Sequence, residues 1–383
     1  MPLFDQASQQ GNPPPDSTLV YVGTYTGAKS KGIYLFRLQT DHLEVSQNIT
    51  LVPYGLAAET ANPSFLEVDI SKRRIYAVNE VNEYQGKAGG SVSAFAVEPA
   101  TGRLALLNQR PSMGAGPCHL ALDHGGRNIL VANYEGGTVS VLPVQADGRL
   151  GAATDVVQHT GKSVNPERQT GPHPHCVALD QANRFAFVCD LGLDKVFAYR
   201  YDPQQGKLMP HDPPFTTAKP GAGPRHMAFR PDGRFAYVVN ELDSTITSFR
   251  YDADAGRLSA LETVSTLPPY FDGKNIAAEI GVHPSGKFLY VSNRGNETVV
   301  LFDIDREKGT LTYIEEQGTG GKTPRHFGIQ RSAKHLVIAN QDSDSLLACR
   351  IDAGNGRLKP SGVFAQAPSP ACAKFLPPAD ESG

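Results

Sequence analysis

The sequence predicts an all-β protein, a seven-bladed β-propeller of four-stranded blades closed into a ring by pairing of its carboxy-terminal strand with its amino-terminal blade. Three observations predict it. A strand that ends in a small polar residue recurs seven times, the segments around each copy have the alternation and turns of further strands, and the strand that the first copy lacks stands at the far end of the chain.

The copies read YVGTYT, IYAVNE, ILVANY, FAFVCD, FAYVVN, FLYVSN and HLVIAN. Their polar residues, Thr24, Asn79, Asn133, Asp190, Asn240, Asn293 and Asn340, are 55, 54, 57, 50, 53 and 47 residues apart, one blade's length each. Each later copy is followed by a segment such as TVSVLPV, KVFAYRY, TITSFRY or TVVLFDI, whose β-branched and aromatic content and period-two pattern favour sheet over helix. A turn then carries glycine, as in TGRL, DGRL, QGKL, AGRL, KGTL and NGRL, where glycine can take the positive φ of a tight hairpin. Ahead of each copy after the first lies an innermost strand: PSFLEV, PCHLAL, PHCVAL, PRHMAF, AEIGVH and PRHFGI. The first copy, Leu19 to Tyr25, has none, and PACAKF, Pro370 to Phe375, supplies it. An open array would leave apolar faces and unpaired edges in water, and a ring removes both.

One propeller domain over residues 18–377 follows, with a flexible tail at residues 1–17 and a short one at 378–383. The first tail is polar, holds Pro13, Pro14 and Pro15, and lacks the basic start and apolar stretch of a secretory signal, so a cytoplasmic protein is expected. Five cysteines without CxxC spacing fit buried reduced thiols. With 36 Lys and Arg against 39 Asp and Glu and no run of like charge, nothing points to nucleic acid or to a membrane surface. A monomer or weak homodimer is expected.

In a propeller, the loop into each innermost strand and the loop after each second strand open on one face, around the channel. The first set brings His119, His173, His175, Arg225, His226, Glu279, Arg325 and His326, and the second brings Glu80, Tyr134, Asp190, Glu241, Asn293 and Arg294. Such groups either tie neighbouring blades together or form a site, and their concentration on a few blades favours a site. There is no HExxH helix and no dense Asp/His cluster, so no metal is expected in catalysis, although His173-Pro-His175 could offer two ligands and a structural ion in the channel stays open. No GxSxG elbow is present either. General acid–base chemistry remains, with Glu241 as base, a histidine as acid or orienting partner, and Arg225, Arg294 and Arg325 binding negative charge.

On GAGPRHMAFRPDGRFAYVVNEL (Gly221 to Leu242), HPSGKFLYVSNR (His283 to Arg294) and TPRHFGI (Thr323 to Ile329), the chain resembles the seven-bladed lactonase family. That family comprises bacterial propeller-type 6-phosphogluconolactonases and the fungal carboxy-muconate cyclase, and the similarity runs from about Val20 to Phe375. The resemblance implies hydrolysis of 6-phosphoglucono-1,5-lactone to 6-phosphogluconate, in the pentose phosphate pathway, with no metal or organic cofactor and a small anionic sugar lactone as partner. It also implies a catalytic set of His175, Arg225, Glu241 and Arg294, with Glu241 or His175 activating water and the arginines holding phosphate or the oxyanion. His119, His173, His226, Glu279, Asn293, Arg325 and His326 are expected to contact substrate. Two long segments near the mouth, VNEYQGKAGG and GKSVNPERQTG, depart from the family's pattern, and loops of this kind set substrate choice. A muconate-type lactonase or cycloisomerase is the alternative enzyme. A binding platform of the WD-repeat type would carry recurring Trp-Asp pairs, and this chain has no tryptophan.

Overall fold

The computed structural model describes residues 11–14, 17–40 and 49–378. Seven four-stranded antiparallel sheets form the blades, and helix among the described residues is confined to one 3-10 turn, Gln341–Ser343. The innermost strands are Pro370–Leu376, Leu66–Asp69, Pro117–Leu122, Pro174–Leu179, Pro224–Phe229, Ile276–Val282 and Pro324–Ile329, for blades 1 to 7. Blade 1 closes the ring as expected: Leu19 pairs with Leu376, Val20 with Phe375 and Tyr21 with Lys374. The strands run from Thr18 to Leu376. Most of residues 1–17, and all but Pro378 of residues 378–383, the two expected tails, lie outside the described residues.

Second strands are sandwiched between neighbouring blades. Asn128–Asn133, Phe185–Asp190 and Phe235–Asn240 are therefore buried at every position, with no solvent face to alternate against. Outer strands such as Arg257–Ser265 keep an exposed face. The hairpin turns between third and fourth strands pack on the next-door blade. Gly256 and Gly309 have φ of 63° and 74°. A Cβ there would lie 2.4 Å from Phe185 and 2.1 Å from Phe235, so these turns need glycine both for conformation and for space.

The polar residue ending each second strand has a structural task. Asn79, Asn133, Asn293 and Asn340 each donate from Nδ2 to a backbone carbonyl, of Ala61, Ser112, Thr266 and Thr319 respectively. All four acceptors lie where the chain crosses from the outer strand of one blade to the innermost strand of the next. The bond pins that crossing and so fixes where the loops at the mouth begin. Asn293 also accepts from Thr266 Oγ1 at 2.8 Å and Asn275 Nδ2 at 3.0 Å. Asn293→Ala orphans these buried groups and is expected to lower the unfolding free energy by about 2 kcal/mol, read by denaturant unfolding. An unchanged midpoint would remove this role.

Of the two long segments, residues 81–90 contain a small hairpin, Glu83–Tyr84 with Lys87–Ala88, and residues 161–171 form a loop without strands. Among the described residues no helix is long and apolar enough to cross a membrane.

Candidate functional site

The site starts from a bulge repeated around the ring. Pro174 pairs with Asp190 and Cys176 with Cys189, leaving His175 as an extra residue. The same shift occurs at Cys118, Arg225 and Arg325. Each extra residue is turned out of the ladder toward the channel. The position directly after five of the seven polar strand ends supplies a second set: Tyr25, Glu80, Tyr134, Glu241 and Arg294. The two sets meet in a cavity of about 580 Å³ at the channel mouth.

Glu241 is its electrostatic centre. Its Oε2 accepts from Arg225 Nε at 2.9 Å and Arg294 Nη2 at 2.8 Å, and its Oε1 accepts from Arg168 Nη2 at 2.7 Å. Burial alone would raise this carboxyl's pKa, but Arg294 and Arg225, joined by His175 and Arg168, hold it well below the usual carboxylate range. Burial and the other arginines in turn pull Arg294 down to about 10, against the opposing pull of Glu241. A carboxylate shared by three guanidiniums is a poor proton acceptor, so the geometry makes Glu241 the organiser of a positive array.

His175 differs. It lines the cavity, and burial first, then the fields of Arg225 and His226, push its imidazole well below the ordinary histidine range. It is therefore neutral in the free protein, and it becomes a stronger base only where negative charge offsets that field. Cys118 packs against it, with Sγ 3.5 Å from the His175 carbonyl and 3.8 Å from Nδ1. Burial pushes that thiol well up, which leaves no thiolate for covalent chemistry. Tyr134 meets His175 edge-on at 5.4 Å and stacks on His173 at 4.3 Å. Asp190 holds the segment carrying both histidines: its Oδ1 accepts the His173 N–H at 2.8 Å, and its Oδ2 lies 2.6 Å from His159 Nδ1.

On the remaining wall, Tyr25 donates its hydroxyl to Glu80 Oε2 at 2.8 Å, and Ser64 donates to the same oxygen. The Arg325 guanidinium lies over the Tyr25 ring, 5.1 Å from its centroid. Glu135 and Glu167 add carboxylates at the rim.

Of the expected residues, His173, His175, Glu241, Arg294 and Arg325 line the cavity together with Glu80 and Tyr134. Arg225 stands behind Glu241, its Nη1 committed to the Ala278 carbonyl. His119, His226, His326 and Glu279, expected as substrate contacts, do not line it. At three of the four bulges the next residue is one of these histidines, and His119, His226 and His326 surround Phe65 with ring centroids 4.2 to 5.9 Å from its own. Glu279 bridges His226 and His326 at 3.1 and 3.4 Å. Together they fill the channel as a floor. Asn293, also expected at the substrate, is a strand-end anchor. Among the described residues no group of three or more His, Cys, Asp or Glu is placed to hold a metal ion, and all five cysteines are free and buried.

Sequence reasoning missed Tyr25 and Arg168. Tyr25 follows Thr24 just as Glu241 follows Asn240, so the repeat itself carried the signal. Arg168 lies in the 161–171 loop, whose path no repeat predicts.

Comparison with known proteins agrees with this fold. Residues 19–375 match the family model described as Lactonase, 7-bladed beta-propeller. A 6-phosphogluconolactonase of Bacillus subtilis is 33% identical over 356 residues, covering 93% of this chain and 97% of that protein. A 6-phosphogluconolactonase of Formosa agariphila is 29% identical over 89% of this chain and 94% of its own. The solved structure of a periplasmic gluconolactonase from Pseudomonas aeruginosa superposes with a TM-score of 0.85 at 34% identity, covering 94% of this chain and 99% of that one.

Proposed function

The chain belongs to the lactonase family of seven-bladed β-propellers, and we propose that it hydrolyses a sugar lactone, 6-phosphoglucono-1,5-lactone, to the open-chain acid. The observation that carries the reading is geometric: a buried imidazole, His175, lines one cavity with Arg168 and Arg294, whose guanidiniums are gathered on Glu241. Water held against His175 gives up a proton to the imidazole as its oxygen bonds to the lactone carbonyl carbon. The carbonyl oxygen becomes an oxyanion beside Arg294 and Arg168, whose charge is already oriented. Collapse of the tetrahedral intermediate breaks the ring C–O bond, and the imidazolium returns its proton to the leaving alkoxide.

The positive array has two effects. It keeps His175 unprotonated in the free enzyme, and an anionic substrate, by cancelling part of that field, strengthens the base as it arrives. Glu80, Glu135 and Glu167, which line the same cavity, offer acceptors to the hydroxyl groups of a polyol.

The test is hydrolysis of freshly generated 6-phosphogluconolactone coupled to 6-phosphogluconate dehydrogenase, with gluconolactone and a carboxy-muconolactone in parallel. The reading predicts turnover of the sugar lactones well above the spontaneous rate. Turnover of the muconolactone alone would replace it with the cycloisomerase reading.

A further inference from the structure

We propose that Arg325 is the specificity-determining residue of this cavity, the group that recognises the phosphate monoester carried on the exocyclic C6 of the lactone. The inference rests on the lactonase reading of the same cavity and goes beyond it by dividing the arginines between two tasks.

Three of the four guanidiniums are committed. Arg168, Arg225 and Arg294 each hydrogen-bond to Glu241. Arg325 makes no salt bridge among the described residues; it rests on the face of Tyr25 and lines the cavity. Tyr25 is held in place by its bond to Glu80, and Glu80 by Ser64. The cation is thus oriented by an aromatic platform while its hydrogen-bond donors are left for a ligand, the arrangement a phosphate needs from an arginine fork.

Position around the ring supports the division. Arg325, on blade 7, occupies the same bulge position as His175 on blade 4 and Arg225 on blade 5. Contacts between innermost strands run blade to blade around the whole channel. His175 and Arg325 therefore stand on opposite sides of the mouth. The positions flanking Arg325 at the same level are the small residues Ala278 and Ala371, whereas His175 is flanked by Cys118 and Arg225. In a six-membered 1,5-lactone the C6 arm hangs on C5, next to the ring oxygen, and leaves the ring on a different bearing from the carbonyl. A ring with its carbonyl at His175 therefore has its C6 phosphate free to extend across the mouth toward Arg325.

The experiment measures binding of 6-phosphogluconate and of gluconate by calorimetry, beside turnover of the corresponding lactones, in wild type, Arg325→Ala and Arg325→Lys. Thermal unfolding establishes that the variants are folded. Arg325→Ala is expected to weaken 6-phosphogluconate binding and kcat/KM for the phosphorylated lactone by roughly 10- to 100-fold, through KM. Gluconate and gluconolactone should change by less than about threefold, and Arg325→Lys should restore part of the loss. Equal losses on both lactones, or no loss on either, would overturn the assignment. Phosphate-dependent binding that requires Arg325 in a protein with no lactone turnover would retain the assignment and sink the hydrolysis reading instead.

Discussion

Glu241→Gln should lower the unfolding free energy by about 3 to 5 kcal/mol, because it leaves Arg168, Arg225 and Arg294 facing a neutral amide in a buried site. The same change should cut kcat/KM by roughly 10²- to 10³-fold in the folded fraction, since the guanidiniums lose the partner that aligns them on the oxyanion. The stability effect has a definite pH dependence. Glu241 has a folded pKa held below its unfolded value, so its contribution is complete above the unfolded carboxylate pKa of about 4.3 and is lost as pH falls through the lower folded value. The gap in stability between wild type and variant should accordingly persist at neutral pH and close only in acid. Denaturant unfolding of both proteins at pH 7 and at decreasing pH reads it. A variant as stable as wild type at pH 7 would show that the arginines do not depend on this carboxylate.

His175→Gln is expected to lower kcat by roughly 10²- to 10⁴-fold with KM little changed, the range for loss of a general base. The pH profile is the more specific signature. His175 must be unprotonated to act, and burial with the neighbouring Arg225 lowers its folded pKa. Activity of the free enzyme should therefore survive as pH falls through the ordinary histidine value of about 6.5, with the acid limb of kcat/KM below it. Bound substrate cancels part of the positive field, so the acid limb of kcat should lie at higher pH than that of kcat/KM. Both limbs should vanish in His175→Gln. A limb that persists unchanged there would assign the proton to another group.

How far the sequence could be read follows from the kind of interaction involved. Ring closure was legible because a strand missing at Leu19 and a surplus strand at Pro370 answer each other locally. The anchors from Thr24 to Asn340 were legible as a period, although the pinning of blade crossings by Asn79, Asn133, Asn293 and Asn340 was not. Residues at the mouth could be listed from topology, since both loop sets open on one face. Their depth could not: a one-residue bulge sends Arg325 to the cavity and His326 to the floor, and no local signal marks the difference. Nor could the roles. Glu241 was a plausible base until three arginines from three separate segments were seen to converge on it. Arg168 comes from a loop outside the repeat, so its place on Glu241 is a tertiary fact alone.

The most direct test of the account is hydrolysis of a carbonyl-¹³C sugar lactone in H₂¹⁸O, followed by NMR. The account predicts an acid formed at a rate proportional to protein concentration above the spontaneous reaction, with one ¹⁸O in each new carboxylate. A rate no greater than the spontaneous one, or an isomer formed without solvent oxygen, would contradict it.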